Sequence, residues 1–229
     1  MEVSGVARLI GEPARAAMLD ALLSGQALAA GELARAAGVS PATASEHLTR
    51  LRGGGLVEVV RAGRHRYYRL AAPEVADVLE ALALLGSARP VRSLRESRNA
   101  RAMAAARTCY DHLAGQVGVA VCDALVSRTA LVAGGDGYLL TPDGEALLDG
   151  LGVPVGAARE SRRQFARPCL DFTERRPHLA GALGAAVCTR LMELRWLVRP
   201  APGGRALRLT DAGRTGLADA LGVRLSGGV

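Results

Sequence analysis

The sequence predicts a mostly α fold with short β-hairpins, in two parts of unequal kind. Three observations lead there. About half of the 229 residues are hydrophobic (49%) while only 3% are aromatic, so the core is expected to be aliphatic and largely helical. Residues 30–70 read as two short helices, a turn, and a hairpin with arginines at its tip. From residue 107 onward the chain repeats itself, which predicts an internally duplicated α+β C-terminal domain.

The first element lies within residues 6–24. Val6, Leu9, Ile10, Ala14, Ala17, Met18 and Leu22 recur at helical spacing, and Pro13 suits a first helical turn. The main helix is therefore expected from about Pro13 to Ser24, with Gly25 at its end. A short helix follows from about Ala29 to Ala37, and Gly38-Val39-Ser40 is the tight turn after it. Ser40 caps the next helix and Pro41 sits where a missing N–H is harmless. That helix runs to about Arg52, with Ala44, Leu48 and Leu51 as its buried stripe.

Its other face is polar. Thr43, Ser45, Glu46, His47, Thr49 and Arg50 are expected to point outward, a set able to read base edges and hold phosphates. The bland alternative is a solvated polar face. The hairpin that follows weighs against it. Leu56–Val60 and His65–Leu70 are β-branched or aromatic strands around Arg61-Ala62-Gly63-Arg64. Arginines at a hairpin tip make a poor core and a good clamp for a DNA backbone or minor groove. This arrangement is that of an N-terminal winged helix-turn-helix. The candidate DNA-contacting residues are Ser40, Ala42, Thr43, Ser45, Glu46, His47, Thr49 and Arg50 on the helix, with Arg61, Arg64, His65 and Arg66 on the wing.

Charge agrees with this placement. The formal net charge is +7, and every basic residue apart from histidine is arginine. Residues 1–86 balance nine Arg against nine acids. Within them, residues 40–70 set six Arg (50, 52, 61, 64, 66, 69) against Glu46 and Glu58, a local excess of four. A GC-rich coding bias explains the preference for Arg over Lys. An anionic partner explains where the excess falls.

Residues 5–86, and above all VSPATASEHLTRLRGGGLVEVVRAGRHRYYRL, resemble the ArsR/SmtB family of bacterial winged-helix regulators. The resemblance covers about a third of the chain. It implies a homodimer built from the first and last helices of this unit, about Pro13–Ser24 and Pro73–Leu85, and a repressor released by an effector. Two family features are missing. The helix before the recognition helix carries Gly31-Glu32-Leu33-Ala34-Arg35, with no Cys, and no His lies in residues 66–111. The family's familiar metal sites are therefore not carried over, and no metal ligand or cofactor is assigned from the sequence.

The expected domains are residues 1–86, an Arg-rich connecting helix over 87–107, and a sensor domain over 108–229. Arg89, Arg92, Arg95, Arg98, Arg101 and Arg107 mark the connecting helix, read as solvated or as an extension of the DNA face. In the sensor domain, RTCYDHLAGQVGVAVCDAL (107–125) is echoed by RPCLD (167–171) and HLAGALGAAVCTRL (178–191). LLTPDGEALLDGLGV (139–153) is echoed by RLTDAGRTGLADALGV (208–223), so the repeats span about 107–153 and 167–223. Each copy is expected to hold a helix, a strand ending in Leu-Thr and a short helix.

The cysteines fall at equivalent places, Cys109 with Cys169 and Cys122 with Cys188, as do His112 and His178. Cys122 and Cys188 lie on apolar helix faces and read as small core residues. Cys109, His112, Cys169 and His178 read either as a sensor cluster or as an accident of duplication with the histidines anchoring helix starts. Cys169 and His178 are nine apart, against three for Cys109 and His112, which weakens the parallel.

The leading function is a sequence-specific DNA-binding transcriptional regulator, a repressor released through its C-terminal domain. The expected partners are double-stranded DNA, a second copy, and a small-molecule or thiol-reactive effector. A thiol- or metal-responsive repressor is the alternative, and a winged-helix protein-interaction module is the rival of another class. No Gly-rich phosphate loop, HExxH or GxSxG occurs, so no enzyme is expected. Without a long apolar run or a secretory signal, a cytoplasmic protein with no membrane partner is expected.

Overall fold

The computed structural model describes residues 3–63, 65–86, 93–201 and 203–225. Arg64, Arg89 and Arg92, named above, lie outside the described residues. The chain divides into two units, residues 1–86 with the short segment 202–205, and residues 87–201 with 206–229.

In the first unit, α1 (Val3–Ile10) precedes α2 (Pro13–Leu22). The helix expected from about Pro13 is α2, and the apolar residues before it, Val6, Leu9 and Ile10, lie on a separate helix. The break is made by Glu12, whose carboxylate accepts from Ala14 N (3.2 Å) and Arg15 N (2.9 Å) and so caps α2. The strand β1 (Leu28–Ala29) leads into α3 (Ala30–Ala37). Gly38, at φ +67°, turns the chain toward α4 (Pro41–Gly53), and Ser40 Oγ accepts from Thr43 N at 3.2 Å as its cap.

Next come β2 (Val57–Ala62), β3 (His65–Leu70) and α5 (Pro73–Leu85). The three strands form an antiparallel sheet in the order β1-β3-β2. Val57 pairs with Leu70 and Ala62 with His65, so the hairpin closes over a tight turn containing Gly63. Met18, Leu19, Leu22, Leu33, Leu48, Leu51 and Leu70 are almost wholly buried and form this unit's core. Each such side chain contributes about 1.5–3 kcal/mol of transfer free energy. Arg205 belongs to this unit and binds the carboxylates of Asp20 (2.8 Å) and Glu80.

The second unit begins with α6 (Leu94–Ala105), on which Arg95, Arg98 and Arg101 are exposed. Then β4 (Arg107–Cys109), β5 (His112–Ala114), α7 (Gly115–Ser127), β6 (Leu131–Gly134), β7 (Gly137–Leu140) and α8 (Pro142–Gly150) follow, with α9 (Val155–Arg159) as a connection. The order hairpin, helix, hairpin, helix returns in β8 (Arg167–Leu170), β9 (Pro177–Ala180), α10 (Gly181–Glu193), β10 (Leu197–Val198), β11 (Arg208–Leu209) and α11 (Asp211–Leu221). Each of the four hairpins is an antiparallel pair.

Two sequence expectations are corrected here. Each half holds two hairpins, where one strand was expected, because strands of two to four residues are too short for a periodic signal. Arg107 is not on the connecting helix. Ala106 leaves the helix in an extended conformation (φ −154°, ψ 136°), and Arg107 starts β4 wholly buried.

The halves interlock. α7 packs chiefly on β9 and α10 on β5, so each helix covers the other half's hairpin. Gly118 and Gly184 let each helix lie close against the end of its own hairpin, since a Cβ at either would collide with the carbonyl of Leu113 or Leu179. Val117, Leu125, Leu131, Leu148 and Leu183 fill the shared core. Among the described residues, no helix is long and apolar enough to cross a membrane.

Candidate functional site

Two surfaces carry chemistry, α4 with its wing and a Cys/His cluster in the second unit. On α4, the Ala44, Leu48 and Leu51 stripe is buried, and this orients the opposite face outward. Ala42, Ser45, Glu46, Thr49 and Arg50 are exposed. Ser45 donates to Pro41 O at 2.9 Å and Thr49 to Ser45 O at 2.8 Å, so both hydroxyls are oriented while their lone pairs stay open. Thr43 is half-buried and its hydroxyl lies 2.9 Å from Ser40 Oγ.

His47 departs from the expected outward face. Its side chain is only 15% exposed, and Nδ1 lies 3.5 Å from Glu12 Oε2 and from Arg15 NH1. It therefore braces α4 against the start of α2. Arg15 extends the brace by donating to Leu9 O (2.7 Å) and Arg8 O (2.8 Å), which ties α1 to the same corner. The Arg15 and Ala14 amides hold the Glu12 carboxyl below its ordinary value, with His47 and Arg15 adding Coulombic support.

On the wing, Arg61, His65 and Arg66 are exposed. Arg69 pairs with Glu58 both in register and by a salt bridge. Nearer the tip, Arg61 stands directly opposite Arg66. Two like charges in a cross-strand pair are unfavourable, and an anion between them removes the penalty.

The second surface is built by two hairpins. Cys109 faces His112 across β4–β5, and Cys169 faces His178 across β8–β9. The interlocked packing sets the hairpins together, with the sulfurs 3.9 Å apart and the two Nε2 atoms 3.2 Å apart. One ligand atom from each of the four residues lies within 4.8 Å of all the others. The extra residues between Asp171 and His178 do not spoil the match. They are taken up in the hairpin turn, where Asp171 N donates to Arg176 O at 2.9 Å.

Carboxylates support both histidines from behind. His112 Nδ1 is 3.4 Å from Asp111 Oδ1, and His178 Nδ1 is 3.4 Å from Asp171 Oδ2, though the latter contact lacks hydrogen-bond alignment. Asp171 is fully buried. It binds Arg107 NH2 at 2.9 Å and accepts from the Gly115 amide at 2.7 Å and the Thr173 hydroxyl at 2.7 Å. Burial opposes its charge, but His178, Arg107 and these donors hold its carboxyl far below the usual range. The hydrogen bond from Cys109, with help from His112 and His178, pulls the Cys169 thiol well below its ordinary value. Burial lowers His178, yet Asp171 and Cys169 raise it on balance. Cys122 and Cys188 differ. They sit in the core, and burial pushes their thiols up to about 11 and about 12.

A helix-turn-helix domain model matches residues 10–60, which hold α2 to α4 and the start of the first wing strand. The chain is 40% identical over 223 residues to YdfF of Bacillus subtilis (strain 168), an uncharacterized HTH-type transcriptional regulator, covering 97% of this chain and 98% of that one. The chain belongs to the HTH-type transcriptional regulators. It binds DNA in that capacity. The regulator is also 39% identical over 75 residues to the HTH-type transcriptional regulator Rv0324 of Mycobacterium tuberculosis, 33% of each chain. Among solved structures, a homodimeric winged helix-turn-helix domain of Mb0332 from Mycobacterium bovis is similar, with 34% identity, 36% of this chain, 76% of that chain and a TM-score of 0.34.

The regulator's supporting residues escaped sequence reasoning. Nothing in the local pattern singles out Glu12 or Arg15, and Arg107 reads as one more arginine of the connecting helix. The signal for Asp171 was present, since Asp111 and Asp171 fall at equivalent places in the two copies. Their partners, Arg163 for Asp111 and Arg107 for Asp171, are distant in sequence and only the fold joins them.

Proposed function

We propose that the regulator binds a pseudo-palindromic operator as a homodimer and represses, in the cytoplasm, until an effector acts through its second unit. The exposed, oriented polar face of α4 beside the Arg61–Arg66 pair is the observation that carries this reading. Ala42, Ser45, Glu46, Thr49 and Arg50 face the bases and nearby phosphates, with Ser40 and Thr43 at the helix start. Arg61, Arg64, His65 and Arg66 grip the backbone or minor groove. His47 acts indirectly, by setting the pitch of α4.

The dimer reading rests on α5. Val78 (48% exposed), Leu82 (44%) and Leu85 (84%) recur at helical spacing, and Val3 on α1 is 79% exposed. α2 was the expected partner of α5, but its apolar side chains Ala14, Met18, Leu19 and Leu22 are buried within its own unit. α1 and α5 therefore form the pairing surface.

The test is binding of the purified protein to its own upstream DNA and to random duplex across a salt series. Specific binding in the nanomolar range with a steep loss in salt is expected. Equal affinity for both duplexes would sink the specific-regulator reading. Arg61→Ala weakens all sequences alike, whereas Ser45→Ala or Arg50→Ala changes the preferred sequence. DNA release by zinc, arsenite or peroxide, measured for wild type and a Cys109→Ser/Cys169→Ser variant, tests the effector route. Equal release from both proteins would exclude the cluster as the sensor.

A further inference from the structure

We propose that Cys109, His112, Cys169 and His178 form a closed tetrahedral site for one zinc-class divalent cation, which staples the two hairpins of the second unit together. The inference stands independently of how the first unit reads DNA.

Distances come first. Zinc binds thiolate sulfur at about 2.3 Å and imidazole nitrogen at about 2.0–2.1 Å. A regular tetrahedron with those bonds has an S···S edge of about 3.8 Å and an N···N edge of about 3.3 Å. The sulfurs here are 3.9 Å apart and the Nε2 atoms 3.2 Å apart. All four donors fall within 4.8 Å of one another, so the widest Cys–His separation closes by about 1 Å to reach the tetrahedral S···N edge of about 3.6 Å. A binuclear iron–sulfur cluster puts a cysteine pair and a histidine pair on different irons, which a set this tight cannot do.

The second argument is orientation. Each histidine turns Nδ1 toward a carboxylate, Asp111 for His112 and Asp171 for His178, at 3.4 Å in both cases. His112 Nδ1 lies in hydrogen-bond geometry with Asp111 and His178 Nδ1 lies beside Asp171, so both rings turn Nε2 inward, where the two atoms face each other across 3.2 Å. A shared cation takes one bond from each inward Nε2, and carboxylates behind metal-bound imidazoles orient such rings widely.

Charge balance is the third. Two thiolates and one divalent cation sum to zero, which suits a buried place. The carboxylates behind the histidines already have guanidinium partners, Arg163 for Asp111 and Arg107 for Asp171. Cys109, His112 and His178 are buried while Cys169 is partly exposed, so an ion has a way in. Four protein ligands leave no position for substrate, which marks the site as structural rather than catalytic. It also differs in place from the metal sites ruled out above on α3 and α5, where the required Cys and His are missing.

The test uses the full-length protein, purified, reduced and stripped with a chelator, then titrated with cobalt(II) and with zinc(II). Cobalt is expected to produce intense visible bands of tetrahedral coordination and a thiolate-to-metal charge-transfer band, saturating at one ion per chain. Zinc should displace it and raise Tm by about 5–10 °C at about a hundredfold excess over Kd. Cys109→Ser/Cys169→Ser and His112→Asn should lose the bands, while Cys122→Ser keeps them. Should the double variant fail to fold, zinc protection of two wild-type thiols from a thiol reagent replaces it as the readout. Absence of the charge-transfer band in the reduced wild-type protein overturns the proposal. So does its survival in the double variant, or a Cys109–Cys169 disulfide that persists under the reducing conditions.

Discussion

Single side chains do sharply different work in the two units. Ser40 caps α4 from outside any core, so Ser40→Ala is expected to cost about 1 kcal/mol in urea unfolding while leaving α4 in place. Glu12 caps α2 and braces His47. Its carboxyl is held below the ordinary value, so its contribution is fully present above the usual carboxylate range and is lost as pH falls through the lowered value. Glu12→Gln should flatten the acid limb of the stability profile, and an unchanged limb would remove this role. Asp171 is fully buried against Arg107 in the second unit. Asp171→Asn leaves Arg107 buried without its counter-charge and is expected to cost about 3–5 kcal/mol by denaturant unfolding.

Elements differ in how well the sequence announces them. α4 was legible almost to the residue, because cap, proline and apolar stripe coincide at Ser40, Pro41, Ala44, Leu48 and Leu51. The wing was legible because β-branched strands bracket Gly63. α1 was not, since its apolar residues merge with those of α2 until Glu12 is seen to cap a new helix. The small hairpins of the second unit were hidden by length, and Arg107 was misplaced for the same reason. The pairing face is an element-scale property too. Leu82→Glu places a charge in the middle of the α5 apolar face and should shift the protein toward monomer in sedimentation, with operator affinity falling at least tenfold. A dimer that survives this change would relocate the interface.

At the scale of the whole molecule, the segment 202–205 matters out of proportion to its length. Glu80, 5% exposed on α5, relies on Arg205, which lies far away in sequence. A fragment of residues 1–86 lacks that guanidinium and should melt below the same unit in the full chain. Glu80→Gln in the fragment should narrow the gap, because it removes the uncompensated buried charge. Identical melting of fragment and full-length unit would assign Arg205 no such role.

The sequence by itself determined what is local and periodic. It set the helix-turn-helix with its wing, the arginine excess beside them, and the repeat that puts Cys109 with Cys169 and His112 with His178. Each of these is written in caps, turns and spacing over a few residues. Only the tertiary structure decided what depends on distant parts of the chain meeting. It turned His47 inward, buried Arg107 against Asp171, and brought two Cys–His hairpins together within the reach of a single ion. A repeat says that two residues are equivalent, but their separation in space follows from how α7 and α10 cross onto each other's hairpins.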